Sequence, residues 1–557
     1  MIRRIAIAAA VALAVAHPGA ALAGSPQAVE ARHGMVVTAQ HVASAVGAGI
    51  LAAGGNAIDA AVAVGYALAV VWPCCGNIGG GGFMAIHLAD GRDTFIDFRE
   101  TAPAMATAKM YLDATGNPVP ALSRYGWRAI GVPGTVMGLD RALREYGSLP
   151  RAAVMAPAIA LARDGFVLGT DDARVLDAKA ALFAKDPAAA KIFLRSDGSP
   201  LRPGDRLVQK DLAASLAAIA RDGPKAFYQT PIAAAVARAS RENGGLLTRG
   251  DFAAYTATEG PPLACTYRGY TILSAPPPSS GGAAICEILD ILEGYDMKAL
   301  GLRSARSIEL MVAAMRRGYA DRNQFLGDPA FVANPLDRLL SKGYAAGIRA
   351  AIAAGAAVPA APREQAETTS YSVADAAGNA VAVTYTINGY FGAGVIALGT
   401  GFFLNNEMDD FTAKPGAPNM YGLVQGEANA IAPGKRPLSS MAPSLVEKNG
   451  KPFLVLGSPG GSRIITIVLE TIMNVIDYGM GPQQAVDAPR FHHQGLPDKL
   501  FYERSGLSPE TIAQLGRLGL QLVPEKPWGA TELIEIDNGR LFGANDDRRP
   551  EGAAAGY

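Results

Sequence analysis

The hydrophobic pattern of the chain changes abruptly at about residue 368. Between about residues 150 and 350 apolar residues recur with helical spacing, and residues 349–367 are rich in Ala and Pro, which predicts a weakly ordered connector. Residues 371–374 and 380–387 then alternate as strands do, around an Ala-Ala-Gly-Asn turn that predicts a hairpin. A helix-rich first part followed by a sheet-centred second part indicates a layered α+β or α/β body.

Two predicted helices and a glycine-rich turn begin the first part. Residues 41–53 and 57–71 have helical patterns, and Gly54-Gly55-Asn56 between them is a typical helix stop. Residues 79–82 are consecutive glycines in apolar surroundings, unlike a flexible linker. With 64 glycines in the chain, tight turns and close backbone approaches should be frequent. Further strands are predicted at residues 84–87, 94–98 and 453–456, and further helices at residues 152–164, 212–222, 232–243, 307–322 and 464–478.

The first 23 residues predict a secretory signal peptide. Arg3 and Arg4 precede an apolar run at residues 5–16, which is too short to span a bilayer, and Ala21-Leu22-Ala23 is typical of a cleavage site. We therefore expect an exported, soluble protein, periplasmic or secreted, without a membrane span. The chain has 50 Lys and Arg against 50 Asp and Glu, and this balance argues against a nucleic-acid partner.

Cysteine and histidine spacing gives no metal-binding pattern. The four cysteines are Cys74, Cys75, Cys265 and Cys286. They contain no C-x-x-C motif, and we interpret them as buried small hydrophobes, compatible with one disulfide in an exported chain. His492 and His493 are interpreted as a structural pair, because no H-E-x-x-H pattern or accompanying Ser and Asp motif surrounds them. We predict neither a metal nor a cofactor.

Thr368 is a candidate nucleophile under one condition. A Thr hydroxyl needs a neighbouring base, and the α-amine of an N-terminal Thr can serve as that base. The chain would have to be cut between Glu367 and Thr368. The alternative is that Thr368 has no chemical role, since Thr is common at strand starts.

A second candidate is the turn Ser458-Pro459-Gly460-Gly461-Ser462, which lies between a predicted strand and a predicted helix. Its backbone N–H groups could hold an oxyanion or a phosphate at the positive end of the helix. The alternative is an ordinary helix start, with Ser458 as the cap and Pro459 in the first helical position.

Charged and hydroxyl side chains supply further candidates for substrate binding. Arg99 follows a predicted strand and could bind a carboxylate through two parallel hydrogen bonds, or form a surface ion pair with its acidic neighbours. Residues 405–411, Asn-Asn-Glu-Met-Asp-Asp-Phe, could hold an ammonium group or form a simple acidic turn, and they lack the spacing of a calcium loop. Ser439 and Ser440 could donate to a carboxylate or cap the chain.

Together these segments resemble the γ-glutamyltranspeptidase (γ-glutamyltransferase) family, with the motifs in family order from about residue 30 to the C-terminus. They include GGNAIDAAVAVGYALAV, GNIGGGGFM, DFRETAP, PPPSSGG, TTSYSV, NAVAVTYTIN, LNNEMDDF, PNMYGL, KRPLSSM and GSPGGSRI. The resemblance implies the N-terminal-nucleophile hydrolase fold, a four-layer αββα sandwich of the α+β class. It also implies a precursor that cuts itself between Glu367 and Thr368, into a large subunit of residues 24–367 and a small subunit of residues 368–557.

The resemblance also implies the chemistry and the residues that carry it. Thr368 would take a γ-glutamyl group from glutathione or another γ-glutamyl compound and pass it to an amino acid, a peptide or water. Thr386 would orient the nucleophile, and the N–H groups of Gly460 and Gly461 would stabilise the oxyanion. The implied substrate contacts are Arg99, Ser439 and Ser440 for the α-carboxylate, Asn388, Glu407 and Asp410 for the α-ammonium, and Tyr421 as a lid.

One departure and two alternatives accompany this hypothesis. Ser370 stands where the family usually has His, a difference that bears on self-processing or substrate fit. One alternative is an acylase with the same fold that acts on a glutaryl-cephalosporin or on poly-γ-glutamate; a glutaryl group has no α-ammonium and would not need Asp410. The other is an unprocessed protein that binds glutamyl peptides, which only Ser370 favours.

Overall fold

The structure is a computed structural model that describes residues 27–354 and 368–557. The predicted signal peptide at residues 1–23 and the Glu367 side of the predicted cleavage site lie outside the described residues. So does most of the predicted connector at residues 349–367.

An antiparallel sheet of seven strands, the first sheet, contains the predicted hairpin at its centre. Its strands, in order across the sheet, are Ala553–Gly556, Gly34–Thr38, Thr369–Asp375, Ala380–Thr386, Gly81–His87, Asp93–Asp97 and Thr258–Gly260. The hairpin prediction is confirmed, with Thr369 opposite Tyr385 and Ala374 opposite Ala380. Every residue of Ala380–Thr386 is buried, because the sheet is covered on both faces.

A second antiparallel sheet of seven strands packs face to face on the first. Its strands, in order, are Val29–Ala31, Arg540–Asn545, Glu532–Asp537, Lys451–Gly457, Ser444–Lys448, Tyr270–Ser274 and Leu263–Tyr267. Strand Thr369–Asp375 of the first sheet contacts Lys451–Gly457 and Glu532–Asp537 across the interface. The two sheets thus form the middle of a sandwich.

Helices cover the outer face of each sheet. His41–Ala52 and Ala57–Val71 pack on the first sheet, and all 15 residues of Ala57–Val71 are buried. Gly281–Leu292 and Ile464–Ile476 lie on the second sheet, and Ala305–Phe325 packs against Gly281–Leu292. The resulting order is helix, sheet, sheet, helix, and it confirms the predicted four-layer α+β sandwich.

Smaller elements surround the sandwich. The other α-helices are Pro120–Arg124, Thr135–Tyr146, Arg151–Asp164, Thr170–Asp177, Ala180–Phe183, Pro187–Phe193, Lys210–Asp222, Pro224–Tyr228, Pro231–Glu242, Arg249–Ala254, Met297–Leu300, Leu336–Leu339, Lys342–Ala353, Pro482–Asp487 and Pro509–Arg517. Short 3₁₀ helices lie at Trp127–Ala129, Glu407–Asp410, Glu427–Asn429 and Gly461–Arg463. Two small sheets consist of Phe166–Val167 with Arg206–Leu207, and of Phe491–His492, Leu500–Glu503 and Leu522–Glu525. The helices predicted in the first part are confirmed, with ends that shift by at most three residues.

Two expectations need correction. The contrast between a helical first part and a sheet-centred second part is too simple, because Gly81–His87 and Tyr270–Ser274 from the first part pair with strands from the second. The predicted connector also begins too early: residues 349–353 belong to helix Lys342–Ala353. Alanine has the highest helix propensity, and this Ala-rich stretch continues the helix rather than ending it.

A disulfide joins Cys265 in a strand of the second sheet to Cys286 in helix Gly281–Leu292. The sequence was compatible with one disulfide without indicating the pair. Cys74 and Cys75 are buried. Across the described ranges, none of the helices is long and apolar enough to cross a bilayer.

The disulfide is expected to stabilise the fold. Cys265 and Cys286 are 21 residues apart, and closing a loop of this length stabilises the folded chain by about 3 kcal/mol in the chain-entropy account. We therefore expect the double variant Cys265→Ser/Cys286→Ser to unfold at a lower denaturant concentration than the parent. Adding reductant should shift the parent and leave the double variant unchanged; equal midpoints for the two proteins without reductant would contradict the prediction.

Candidate active site

Thr368 and Thr386 lie side by side at one end of the first sheet. The register that places Thr369 opposite Tyr385 puts Thr386 opposite Thr368, and both side chains line one small cavity. Thr368 is only 5% exposed. The Thr386 hydroxyl accepts a hydrogen bond of 2.8 Å from the backbone N–H of Asn388, which fixes its position.

The glycine run at residues 79–82 holds this end of the sheet together. A Cβ atom at Gly80 would lie 2.0 Å from the carbonyl oxygen of Thr386, and one at Gly81 would lie 2.4 Å from the carbonyl oxygen of Phe98. Any larger residue would push these backbones apart. This close approach positions both Thr386 and the segment that leads into Arg99.

The turn at Gly460 and Gly461 has free backbone donors next to the cavity. Both residues have positive φ, 143° and 54°, a conformation that favours glycine, and Gly461 lines the cavity. Among the residues that the structure describes, neither N–H donates a hydrogen bond to a protein acceptor. A tetrahedral oxyanion is the kind of group that such donors stabilise.

The alternative interpretation of this turn is wrong. Helix Ile464–Ile476 begins after the 3₁₀ turn Gly461–Arg463, and its N-cap is Arg463 rather than Ser458. The Ser458 hydroxyl instead accepts a hydrogen bond from the N–H of Ala530, at 3.3 Å. The glycines therefore lie outside the α-helix, and no described residue accepts a hydrogen bond from their N–H groups.

Arg99 lies at the centre of a buried cluster of charges. It is fully buried, one Nη donates to Glu407 and the other to Asp410, and Glu100 lies 3.7 Å away. Burial raises the pKa of Asp410 and raises that of Glu407 well above its usual value, although the charge of Arg99 opposes both shifts. Burial also raises the pKa of Glu100, to about 7. A surface ion pair for Arg99 is thus excluded. Arg99, predicted to bind the α-carboxylate, is in direct contact with Glu407 and Asp410, predicted to bind the α-ammonium group.

Ser439 and Ser440 lie beside an arginine that the sequence reasoning missed. Both serines line the cavity, and Arg322 donates to the Ser440 hydroxyl at 3.3 Å. Arg322 is 1% exposed, and burial lowers its pKa to about 10. Arg322 lies one turn beyond the buried Tyr319 and two turns beyond the buried Met315. A charged residue on the apolar face of a predicted helix is the signal that could have identified it.

Tyr421 closes the cavity from the side of Asn388. Its hydroxyl donates to Asn388 Oδ1, and the Asn388 amide in turn donates to the backbone of Asn406 at 3.0 Å. The cavity has a volume of about 20 Å³, enough for about one water molecule. A ligand the size of an amino acid therefore requires Tyr421 and the charged side chains to move.

The structure brings nearly all of the predicted site residues to this cavity. Thr368, Thr386, Arg99, Asn388, Glu407, Asp410, Tyr421, Ser439, Ser440 and Gly461 line it. Gly460 is adjacent in the chain but does not line the cavity, and Glu367 lies outside the described residues.

Ser370 does not face the cavity. It is fully buried between the sheets, and its hydroxyl donates to the carbonyl of Val383 at 2.9 Å. A Cβ atom on Gly457 of the facing sheet would lie 2.2 Å from the Ser370 hydroxyl oxygen. The departure from the family pattern thus lies in the core of the sandwich.

One cluster of histidine and carboxylates lies elsewhere. His87, Asp93 and Glu447 bring a nitrogen and two oxygens within 4.8 Å of one another, and His87 Nδ1 is 2.8 Å from Asp93 and 3.1 Å from Glu447. Although burial lowers the pKa of His87, the hydrogen bond to Asp93 and the carboxylate charges raise it overall. This is the geometry of an imidazolium shared by two carboxylates, and we assign no metal to it.

Comparison with known proteins gives one consistent family. A sequence model described as gamma-glutamyltranspeptidase matches residues 43–557. A glutathione hydrolase proenzyme of Pseudomonas sp. (strain A14) is 53% identical over 554 residues, which cover 96% of each chain. A protein of the same name from Escherichia coli (strain K12) is 49% identical over 538 residues, covering 95% of this chain and 93% of that one. The crystal structure of cephalosporin acylase from Bacillus halodurans superposes with a TM-score of 0.87 at 27% identity, covering 98% of this chain and 99% of that one.

The position of Ser370 yields a prediction for Ser370→Ala. The change removes two hydrogen bonds within the sheet, to the Val383 carbonyl and to the Thr384 hydroxyl, so the free energy of unfolding should fall by about 1–3 kcal/mol. Cleavage between residues 367 and 368 should continue as in the parent, because the side chain does not line the cavity. Denaturant unfolding and intact-mass analysis measure the two effects. A parent that is cut and a variant that stays whole would show that the Ser370 hydroxyl acts in processing.

Proposed function

Because the chain belongs to the γ-glutamyltranspeptidase family, we propose that it transfers γ-glutamyl groups from glutathione and related compounds to amino acids, peptides or water. The observation that carries this proposal is the cavity itself, where Thr368 and Thr386 share the lining with Arg99, Glu407 and Asp410. A hydroxyl nucleophile beside two charged poles of opposite sign suits a donor whose α-carbon carries both an ammonium and a carboxylate group.

The proposed enzyme matures by one cut between Glu367 and Thr368. The cut separates the large subunit, residues 24–367, from the small subunit, residues 368–557, and frees the α-amine of Thr368. The relatives named as proenzymes support a precursor of this kind. The predicted signal peptide supports export of the heterodimer to the periplasm or beyond the cell.

The chemistry follows from the freed amine. The α-amine of Thr368 accepts the proton of its own hydroxyl, and the Oγ attacks the γ-carbonyl carbon of the donor. The N–H groups of Gly460 and Gly461 stabilise the negative oxygen of the tetrahedral intermediate. The leaving amine takes the proton as the C–N bond breaks, which leaves a γ-glutamyl ester on Thr368. An acceptor amine or water then attacks this ester by the same steps in reverse order, while Thr386 keeps the nucleophile oriented.

Donor recognition can proceed by exchange of ionic partners. In the structure Arg99 is paired with Glu407 and Asp410. A bound donor would offer its carboxylate to Arg99, Ser439 and Ser440, and its ammonium group to Asn388, Glu407 and Asp410. Because the donor carries one charge of each sign at its α-carbon, this exchange buries no unpaired charge. Tyr421 has to move away to admit the donor and can then close over it.

A second candidate function is an acylase that removes a glutaryl group. The structural similarity to a cephalosporin acylase favours it. A glutaryl group lacks the α-ammonium and would leave two buried carboxylates, Glu407 and Asp410, without a new partner. The γ-glutamyl donor therefore fits the charges of this cavity better.

Thr368→Ala should abolish both self-cleavage and turnover, because alanine offers neither an attacking oxygen nor a proton to transfer. N-terminal sequencing and intact-mass analysis should give two fragments for the parent, the smaller beginning at Thr368, and a single chain for the variant. Thr369→Ala is the matched control: it removes a neighbouring hydroxyl that does not line the cavity, and it should still be cut. Normal turnover by Thr368→Ala would refute the proposed mechanism.

Asp410→Asn should weaken binding of a γ-glutamyl donor selectively. A hydrogen bond to a charged group contributes about 1.5–3 kcal/mol, which corresponds to a rise in KM of about 10- to 150-fold for γ-glutamyl p-nitroanilide. The KM for glutaryl p-nitroanilide should change much less, since this donor has no ammonium group. Equal effects on both donors would argue against Asp410 as an ammonium contact, and a parent that prefers the glutaryl donor would support the acylase function.

A further inference from the structure

Arg322 is a buried cation without an ionic partner in the described part of the chain. It is 1% exposed on helix Ala305–Phe325, and its side chain lines the cavity. Nε donates to Ser280 at 3.0 Å, and one Nη donates to Gln425 at 2.7 Å. The other Nη donates to Ser440 at 3.3 Å, so these acceptors are all neutral oxygens.

The contrast with Arg99 is informative. Glu407 and Asp410 already balance the charge of Arg99, whereas no described carboxylate forms an ion pair with Arg322. A buried charge without a partner is costly, because the protein interior solvates it less well than water does. With a pKa of about 10, Arg322 nevertheless remains positive at neutral pH. Asp410 acts on Arg322 only through a longer-range Coulomb interaction. An anion that enters this cavity would therefore meet Arg322 as a positive charge that no described carboxylate contacts.

The hydrogen bonds of Arg322 lead to the two serines of the proposed carboxylate site. Ser440 accepts from Arg322, which leaves its own O–H free to donate into the cavity. Ser280 accepts from Arg322 and donates to the backbone carbonyl of Ser439 at 2.6 Å. Donation by a cation polarises a hydroxyl and makes it a stronger donor to a carboxylate.

We propose that Arg322 is a specificity-determining residue for the donor α-carboxylate, an inference that rests on the proposed function. It supplies a positive charge that is not in contact with a carboxylate and directs the Ser440 hydroxyl toward the bound carboxylate. Arg99, shared with two acidic side chains, then forms the boundary between the carboxylate and ammonium ends of the donor.

Three small inhibitors separate this role from a general structural one. Of the two α-groups, L-glutamate carries both, glutarate carries only the carboxylate, and 4-aminobutyrate carries only the ammonium group. All three keep the distal (γ) carboxylate. For Arg322→Met we expect the inhibition constants of glutamate and glutarate to rise about 10- to 100-fold, and that of 4-aminobutyrate to change less than about threefold. Arg322→Lys keeps the charge and loses the fixed geometry, so its effects should have the same pattern and be smaller.

The inhibition constants are measured on the matured proteins with γ-glutamyl p-nitroanilide as the donor. Calorimetric Kd values replace them for any variant with too little turnover. Arg317→Met is the matched control: this neighbour on the same helix is paired with Asp321, outside the cavity, and should leave all three constants unchanged. If Arg322→Met does not mature, the three inhibition constants of Arg322→Lys test the proposal instead.

The outcomes distinguish the inference from the function on which it rests. A parent that does not use the γ-glutamyl donor would refute the proposed function itself. An active parent whose Arg322 variants weaken all three inhibitors equally, or none of them, would overturn the role of Arg322 and leave the proposed function intact.

Discussion

The antiparallel pairing of Thr369–Asp375 with Ala380–Thr386 is the constraint on which the site depends. The register places Thr368 opposite Thr386, just beyond the first registered pair, Thr369 with Tyr385. Thr386 is held from its other side by pairing with Gly81. The neighbouring strand Gly81–His87 begins in the glycine run, whose missing side chains let Thr386 approach. A slip of one residue in the register of either strand would move every side chain of that strand to the opposite face of the sheet. Because both faces are buried, such a slip is unfavourable, and the hydroxyls of Thr368 and Thr386 stay close together.

Charge balance is the second property of the cavity. Its lining has two arginines, Arg99 and Arg322, and two acidic residues, Glu407 and Asp410. The numbers of positive and negative side chains are therefore equal, but the ion pairs are unevenly distributed between the arginines. Arg99 contacts both carboxylates, and Arg322 contacts neither. A zwitterionic α-carbon is also neutral as a whole, and its binding can redistribute the pairs so that each charge has a partner. This complementarity distinguishes the proposed γ-glutamyl donor from a glutaryl group, which would add a negative charge alone.

The sequence predicted the parts of this structure that have a strong local signal. Ala57–Val71 was predicted to the residue, because a long apolar run between a glycine stop and a tryptophan has few alternatives. The strands Gly34–Thr38 and Tyr270–Ser274 were not predicted. All five residues of the first and the last three of the second are buried, so neither strand alternates between buried and exposed positions. The site residues were predicted through the family resemblance. From the residues alone, a surface ion pair remained an open alternative to carboxylate binding for Arg99. Arg322 lacked any such motif, and its importance depends on burial and missing charge partners, which only the fold reveals.

The order of strands in the two sheets determines how the fold responds to a cut before Thr368. In the first sheet Gly34–Thr38 and Gly81–His87 flank the hairpin of residues 369–386, so strands from before the cut enclose strands from after it. In the second sheet Ser444–Lys448 pairs with Tyr270–Ser274 across the same division. Separating the two pieces would break backbone hydrogen bonds in both sheets and expose the apolar face between them to water. A peptide bond can therefore be lost at residue 368 while the sandwich stays intact, which gives a newly formed N-terminus a rigid position beside Thr386 from the moment it exists.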